Sequence, residues 1–340
     1  MVTIEDIAKE AGVSTTTVSN VIHGRTNKVS GKTVDRINEI IRRRGYVPNL
    51  SARALKIRSS KLVALIIHLD EGERERFWSD PFYISLTGAV EQALRERGYF
   101  LMIRASAELD ELLAFLRNWN VEGVFLPGLF EDDPFYKTLY DLQKPVVLTD
   151  SYISDLGPMT NIGLRDFDGA RLATEHLIEN GHRRIVFAGP KMKNGGVLEQ
   201  RLNGYRQALQ DHGIGFDPDL IYECEFDIDK MMELGRKLAA RQDITAIFAT
   251  ADMLAAGLMS GLHQAGRMVP RDISIVGFDD ISWSRMTNPM LTTIHQDADA
   301  KGRLAAECMI RLLEGERVER HNRALPVSLV QRDSVRDISE

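Results

Sequence analysis

Between Thr15 and Asn20 the chain places five short hydrogen-bonding side chains: Thr15, Thr16, Thr17, Ser19 and Asn20. Each is an uncharged donor and acceptor. A row of such groups on one exposed helix face suits phosphate oxygens and base edges better than an apolar partner. The surrounding charge agrees. Residues 1–60 hold 11 Lys and Arg against 5 Asp and Glu, whereas the remaining 280 residues hold 32 against 44. A basic head on an acidic body is the pattern of a polyanion-binding module joined to a soluble body.

Catalytic and metal chemistry finds no comparable pattern. Gly31-Lys32-Thr33 copies the end of a phosphate-binding loop, but the earlier glycine it needs falls on Thr26, and no apolar strand precedes it. After the first apolar run stands Leu69-Asp70-Glu71-Gly72, where a dinucleotide-binding enzyme would carry G-x-G-x-x-G. No H-E-x-x-H, G-x-S-x-G or paired-cysteine spacing occurs, and the eight histidines are scattered. The two cysteines, Cys224 and Cys308, lie far apart, as suits buried thiols in a reducing cytosol. No catalytic step, metal or cofactor is expected. No charged-then-apolar leader opens the sequence, and no apolar run reaches the roughly 18 residues of a membrane span. The expectation is a soluble, cytoplasmic protein without a membrane partner.

The elements that must carry the hydroxyl row are legible. Thr3 followed by Asp6 reads as a capping box, and Ile4, Ile7, Ala8 and Ala11 repeat with helical spacing. Gly12-Val13 breaks that helix. Ser14 caps a second one with Val18, Val21 and Ile22 inward. A third helix starts at the Ser30 cap and runs to about Arg44 on Val34, Ile37, Ile40 and Ile41. Helix, tight turn, helix is the arrangement that sets a second helix into the major groove. From Lys61 onward short apolar strands alternate with amphipathic helices, beginning with Leu62–Ile67 and continuing to Ile273–Val276. That rhythm predicts parallel sheets covered on both faces, in two doubly wound lobes, with ligands at the carboxyl ends of strands.

The order of the motifs adds a family. Thr3-Ile4-x-Asp6-Ile7-Ala8-x-x-Ala11-Gly12-Val13-Ser14-x-x-Thr17-Val18-Ser19-x-Val21 resembles the opening of the lac repressor (LacI/GalR) family. Val29-Ser30 and Gly45-Tyr46-x-Pro48-Asn49-x-x-Ala52-Arg53-x-Leu55 continue the match. The resemblance runs on through Asp80-Pro81-Phe82-Tyr83, Gly181-His182-Arg183-Arg184-Ile185, Arg201-Leu202-x-Gly204-Tyr205, Gly277-Phe278-Asp279-Asp280 and Leu291-Thr292-Thr293-Ile294. It departs from the usual pattern at His23, at the loop Gly24–Lys28, at Ala251 and at Asp297.

What the resemblance implies is specific. The fold would be an N-terminal three-helix helix-turn-helix domain over residues 1–48, a hinge helix and linker over 49–60, and a periplasmic-binding-protein-like sensor over 61–340. In the sensor the chain would cross between lobes near 160, 290 and 322, giving an N-lobe of about 61–160 and 291–321 and a C-lobe of about 161–290 and 322–340. Thr15, Thr16 and Asn20 would occupy base-reading positions, while Ser14, Thr17, Ser19, Ser30 and Thr33 would meet phosphates, with Thr3 grouped among the DNA contacts. Asn49–Lys56 would form the hinge helix on the operator, with Leu55 wedged into the central minor-groove step and Ala52 and Arg53 beside it. Arg201 and Asp279 would hold polar groups of an effector, with Phe82 and Phe226 as walls and Asp150 as a hydroxyl acceptor. A planar Arg fork, a carboxylate and aromatic faces suit a sugar or sugar derivative. A nucleobase or an amino acid suits the same Arg-plus-Asp pair and stays open. So does a periplasmic-type solute-binding protein, which would need an export signal and no basic head. The partners implied are near-palindromic double-stranded operator DNA, a small-molecule effector and a second copy of the chain. Leu55→Ala should weaken specific operator binding while sparing nonspecific, salt-sensitive binding. Equal loss of both in salt-titrated gel shifts removes the wedge role.

Overall fold

The computed structural model describes residues 2–46, 59–68, 74–192, 195–318 and 322–339. The chain separates into two compact units, residues 1–60 and 61–340.

In the first unit three helices form where the caps predict them: α1 (Ile4–Ala11), α2 (Thr15–Ile22) and α3 (Gly31–Arg44). Thr3 Oγ1 accepts from the Asp6 amide at 3.2 Å, and the Thr3 amide donates back to Asp6 Oδ2 at 2.9 Å. Both orphan donors of the first turn are thereby satisfied. Gly12 ends α1 at φ 63, the left-handed conformation a Cβ would strain. Ile7, Ala8, Ala11, Val18, Val21, Ile37 and Ile40 close a small core between the three helices.

The second unit holds two six-stranded sheets. The N-lobe sheet uses β1 (Leu62–Ile67), β2 (Phe100–Ala105), β3 (Gly123–Pro127), β4 (Val146–Thr149), β5 (Thr160–Leu164) and β11 (Asn322–Leu325) in the order β11-β5-β4-β3-β1-β2. All its neighbours run parallel. The C-lobe sheet uses β6 (Ile185–Gly189), β7 (Ile221–Glu223), β8 (Ala246–Ala249), β9 (Ser274–Asp279), β10 (Thr292–His295) and β12 (Ser328–Val330) in the order β12-β10-β9-β8-β6-β7. Only the β10–β12 pair is antiparallel. The central strands β1, β3, β4, β6, β8 and β9 are mostly apolar and buried, as parallel strands covered on both faces must be, while edge strands such as β2 and β11 are partly exposed. Helices cover both faces of each sheet and complete four apolar clusters.

The crossings between lobes come a few residues later than the sequence pattern placed them. Residues 160–164 and 322–325 belong to the N-lobe sheet, and residues 292–295 to the C-lobe sheet. Each crossing strand completes its pairing before it leaves, because an abandoned backbone edge would be buried unpaired. The chain therefore changes lobe between 164 and 166, between 295 and 298, and between 325 and 328. Among the described residues no helix is long and apolar enough to cross a membrane, and no cluster of ligating side chains could hold a metal ion.

Two C-lobe helices, α8 (Asp166–Glu179) and α9 (Val197–Asp211), pack closely because Gly204 lies at their contact. A Cβ there would stand 2.2 Å from the Phe167 carbonyl oxygen and 3.0 Å from the Ala170 Cβ. Gly204→Ala should therefore lower urea stability by about 1–3 kcal/mol. Stability equal to the parent would show that the helices separate freely.

Candidate functional site

In the first unit the hydroxyl row divides by the helical period. Ser14, Thr15 and Thr16 stand exposed, while Thr17, Ser19 and Asn20 are half-buried. The expected row of five on one exposed face is thus two residues wide, since successive residues turn by about 100°. Ser14 Oγ accepts from the Thr17 amide at 3.1 Å and lies 2.9 Å from Thr17 Oγ1. Ser30 and Thr33 repeat this pairing at the start of α3, with 3.3 Å and 2.8 Å. The two serines are caps first, and their pairing with threonine presents a hydroxyl pair at each helix N-terminus. Thr3 is likewise engaged with Asp6, whose carboxyl pKa those hydrogen bonds lower. Glu10 of α1 pairs with Arg43 and Arg44 at the end of α3, so part of the basic charge is spent inside the unit. Asn49, Ala52, Arg53 and Leu55 lie outside the described residues.

In the second unit a cleft of about 1450 Å³ opens between the lobes. His68, Tyr83, Phe130 and Asp150 line it from one lobe, and Phe226 and Trp283 from the other. Asp150 and Phe226, expected as an acceptor and a wall, thus both line the cleft. Arg201 and Asp279 lie beneath the lining, 7% and 8% exposed. Phe82, named as a wall, is buried instead. It sits in the first turn of helix α5 (Pro81–Glu96) and packs against Leu86 and Ile281 of the opposite lobe, with its ring edge on Tyr83.

The floor beneath this cleft is a charged network at the crossings. Arg201 donates through Nε and Nη2 to Asp166 Oδ1 at 2.9 and 2.8 Å, and through Nη1 to the Thr250 carbonyl at 2.5 Å. Its guanidinium also stacks 3.5 Å from the Phe278 ring centroid. Burial works against the Arg201 charge, but the Asp166 and Asp279 carboxylates outweigh it and raise its pKa. Tyr152 donates its hydroxyl to Asp166 Oδ2 at 2.6 Å. On the other side Gln296 Nε2 donates to Asp279 Oδ1 at 2.5 Å. Lys301, in helix α12 (Ala298–Leu313), donates to Asp150 Oδ1 at 2.7 Å and to Gln296 Oε1 at 3.0 Å. Asp150 at φ 52 and Asp279 at φ 116 hold left-handed conformations at the carboxyl ends of β4 and β9. Strain of that kind persists where surrounding contacts over-determine it.

Burial raises the Asp150 carboxyl against the pull of Lys301. It pushes the Asp279 carboxyl up to about 7, with Arg201 opposing and Asp80 adding to the rise. Asp252, fully buried at the start of helix α11 (Asp252–Gln264), is also raised by burial and by Asp279 while accepting from Thr293 and the Ile281 amide. Asp166, Tyr152 and Lys301 were not legible as site residues. Gln296 could have been found, as the last residue of Thr292-Thr293-Ile294-x-Gln296.

Comparison with known proteins decides what these two units are. Residues 3–49 match the family described as bacterial regulatory proteins, lacI family, and residues 174–335 match a periplasmic binding protein-like domain. The HTH-type transcriptional regulator CelR of Thermobifida fusca is 34% identical over 340 residues, spanning 98% of this chain and 98% of the relative. The chain belongs to the lacI family of bacterial regulatory proteins. The family resemblance seen in the sequence is thereby borne out, as is the fold class. Another relative is the HTH-type transcriptional repressor PurR of Haemophilus influenzae (strain PittEE), 31% identical over 350 aligned positions, 99% of this chain and 100% of PurR. The solved CelR–cellobiose complex superposes with TM-score 0.73 at 30% identity, over 98% of this chain and 100% of that one. The lac repressor dimer bound to operator and the anti-inducer ONPF superposes with TM-score 0.84 at 26% identity, over 98% and 99%. As a lacI-family member the chain is a helix-turn-helix DNA-binding transcriptional regulator carrying a periplasmic-binding-like sensor.

Asp279 makes the family sensor sensitive to pH. Its carboxyl binds a proton more tightly folded than unfolded, so across about pH 4–7 the native state holds the extra proton. Its contribution to stability is present below that window and falls as pH rises through it. Asp279→Asn should therefore gain urea stability relative to the parent between pH 5 and pH 8. A constant difference across that range removes Asp279 from the titration.

Proposed function

We propose that this chain is a cytoplasmic, homodimeric repressor whose hold on a near-palindromic operator is set by a small molecule bound between the sensor lobes. The observation that carries it is the charged floor. Asp150, Asp166, Arg201, Asp279, Gln296 and Lys301 converge beneath an open cleft at the crossings, where a bound ligand can alter the angle between lobes. Ligands of doubly wound sheets bind at such carboxyl ends, and a ligand shifts the operator equilibrium only by its differential affinity for the two states.

In the head, Thr15, Thr16 and Asn20 serve as base readers. Ser14, Thr17, Ser19, Ser30 and Thr33 serve as phosphate contacts, with Thr3 among them. The hinge at Asn49–Lys56 supplies Ala52, Arg53 and the Leu55 wedge. In the sensor, Arg201, Asp279, Asp150 and Phe226 face the effector. Phe82 supports it from below. Aromatic side chains from both lobes and a carboxylate-rich floor favour a carbohydrate, and the cellobiose held by CelR points the same way. The chain works by binding and carries out no catalytic step of its own.

The test is a gel shift of the full chain on family-like palindromic operators at low salt, joined to a thermal-shift screen of sugars, sugar phosphates and purines. One operator should be retained, and one compound class should both raise the melting temperature and change operator occupancy. Failure on every operator removes the repressor reading. Arg201→Ala would leave Asp166 buried without its counter-ion. The double substitution Arg201→Ala with Asp166→Asn is therefore the cleaner variant. It should raise the effector concentration needed for half-response by at least about tenfold, or about 1.4 kcal/mol. An unchanged midpoint removes Arg201 from the effector site.

A further inference from the structure

Lys301 is, with Asp166, one of two charged side chains of the floor that no motif singled out. It is 1% exposed, and its ammonium is committed on three sides. Asp150 Oδ1 accepts at 2.7 Å, Gln296 Oε1 at 3.0 Å, and the Phe82 ring centroid lies 5.1 Å away. Arg201 is committed in the same way to Asp166, the Thr250 carbonyl and the Phe278 ring. Both cations of the floor therefore face protein acceptors.

The carboxylates are not so fully used. Among the described residues, Lys301 is the only side-chain donor to Asp150 and Gln296 the only one to Asp279, each on Oδ1. One oxygen of each carboxylate is left for an incoming donor. Once Asp279 ionises, as pH rises through about 7, Asp150, Asp166 and Asp279 outnumber Arg201 and Lys301. A ligand bringing hydroxyl or amine donors meets acceptors there, whereas one bringing negative charge meets like charge in a buried setting, which is expensive.

Resting on the effector reading above, we propose that Lys301 is a positioning residue that determines effector specificity. It holds Asp150 as an oriented carboxylate acceptor, linked through Gln296 to Asp279, so that the cleft takes a neutral, hydroxyl-rich ligand and refuses an anionic one. The bond from Lys301 to Gln296, and from Gln296 to Asp279, ties that acceptor to the crossing that ligand binding must bend. Without Lys301 the Asp150 carboxyl, already raised by burial, loses its nearest counter-charge and rises further. The other charged groups facing Asp150 are Asp166 and Arg201 from α8 and α9, with the Tyr152 hydroxyl beside them.

The test is calorimetric titration of the full chain with six probes at pH 6 and pH 8: cellobiose, glucose, ribose, glucuronate, glucose 6-phosphate and adenine. The parent should bind a neutral sugar at least about tenfold more tightly than the anionic sugars. Lys301→Met should lower that affinity by at least about tenfold at pH 6 and by less at pH 8, because a protonated Asp150 no longer accepts on both oxygens. Lys301 also lowers the Asp279 carboxyl, so the same comparison made in an Asp279→Asn background, with and without Lys301→Met, isolates the part that reports Asp150. Asp150→Asn, which keeps Lys301, should lose affinity at both pH values with little pH slope; it serves as the measure if Lys301→Met does not fold. Tighter binding of glucuronate or glucose 6-phosphate than of neutral sugars overturns the proposal. So does parental affinity at both pH values in Lys301→Met, or in Asp150→Asn. Those outcomes leave effector binding intact. A parent chain that binds none of the six overturns the effector reading itself, and this proposal with it.

Discussion

The buried pair of Arg201 and Asp166 is the constraint on which the sensor depends. Asp166 is 1% exposed and opens α8 two residues after β5 ends, so it stands where the chain first changes lobe. Two charges taken out of water are tolerated only with close geometry and satisfied hydrogen bonds. Here the geometry needs both lobes. Tyr152 reaches Asp166 from the N-lobe, while Arg201, Thr250 and Phe278 come from the C-lobe. A change in lobe angle must therefore alter or carry with it a fully desolvated ion pair. Tyr152 is the group that reaches this pair from the N-lobe, so its hydroxyl bond to Asp166 is where a change in lobe angle would first be felt.

The two sheets explain why the charges collect there. Parallel strands end together, and their carboxyl ends in both lobes face one cleft. Asp150 follows β4 and Asp279 closes β9, each held in a left-handed conformation just where the strand stops pairing. Gln296 follows β10, and Lys301 lies one helical turn into α12. The fold thus delivers four polar side chains from distant stretches of chain to one layer, with the apolar clusters of both lobes directly behind. The same burial that makes this floor costly makes each hydrogen bond across it strong.

How much of this could be read from residue order follows from the range of the forces involved. Caps, turns and helical periods are local, and Thr3, Ser14 and Ser30 sit within a residue of the helix starts they predict. Long apolar strands such as Leu62–Ile67 and Ala246–Ala249 are equally local signals. The crossing strands were missed because Thr160–Leu164 and Asn322–Leu325 mix polar with apolar residues; their pairing, and the burial of Thr160–Leu164, come from neighbours elsewhere in the sequence. Asp166 and Lys301 are invisible for the same reason. Each looks like a solvated helix charge until the partner, 35 residues away in one case and 151 in the other, is folded against it. The hydroxyl row failed in the opposite direction. Its chemistry was plain, but the helical period turns Thr17 back toward Ser14 and leaves only Thr15 and Thr16 at the front of α2.

That last point bears on how the head divides affinity from selectivity. Basic side chains supply attraction to any duplex, and this term carries no sequence information. Glu10 already consumes part of it through Arg43 and Arg44. The capped N-termini of α2 and α3 add oriented amides and paired hydroxyls, groups of the kind that suit phosphates. On the reading proposed above, discrimination falls to few and short side chains, Thr15, Thr16 and Asn20, which can each distinguish only modestly among base pairs. A regulator that pairs two such heads on one operator adds the free energies of two half-sites, so each half-site can stay weak enough for a coupling of a few kcal/mol to change operator occupancy.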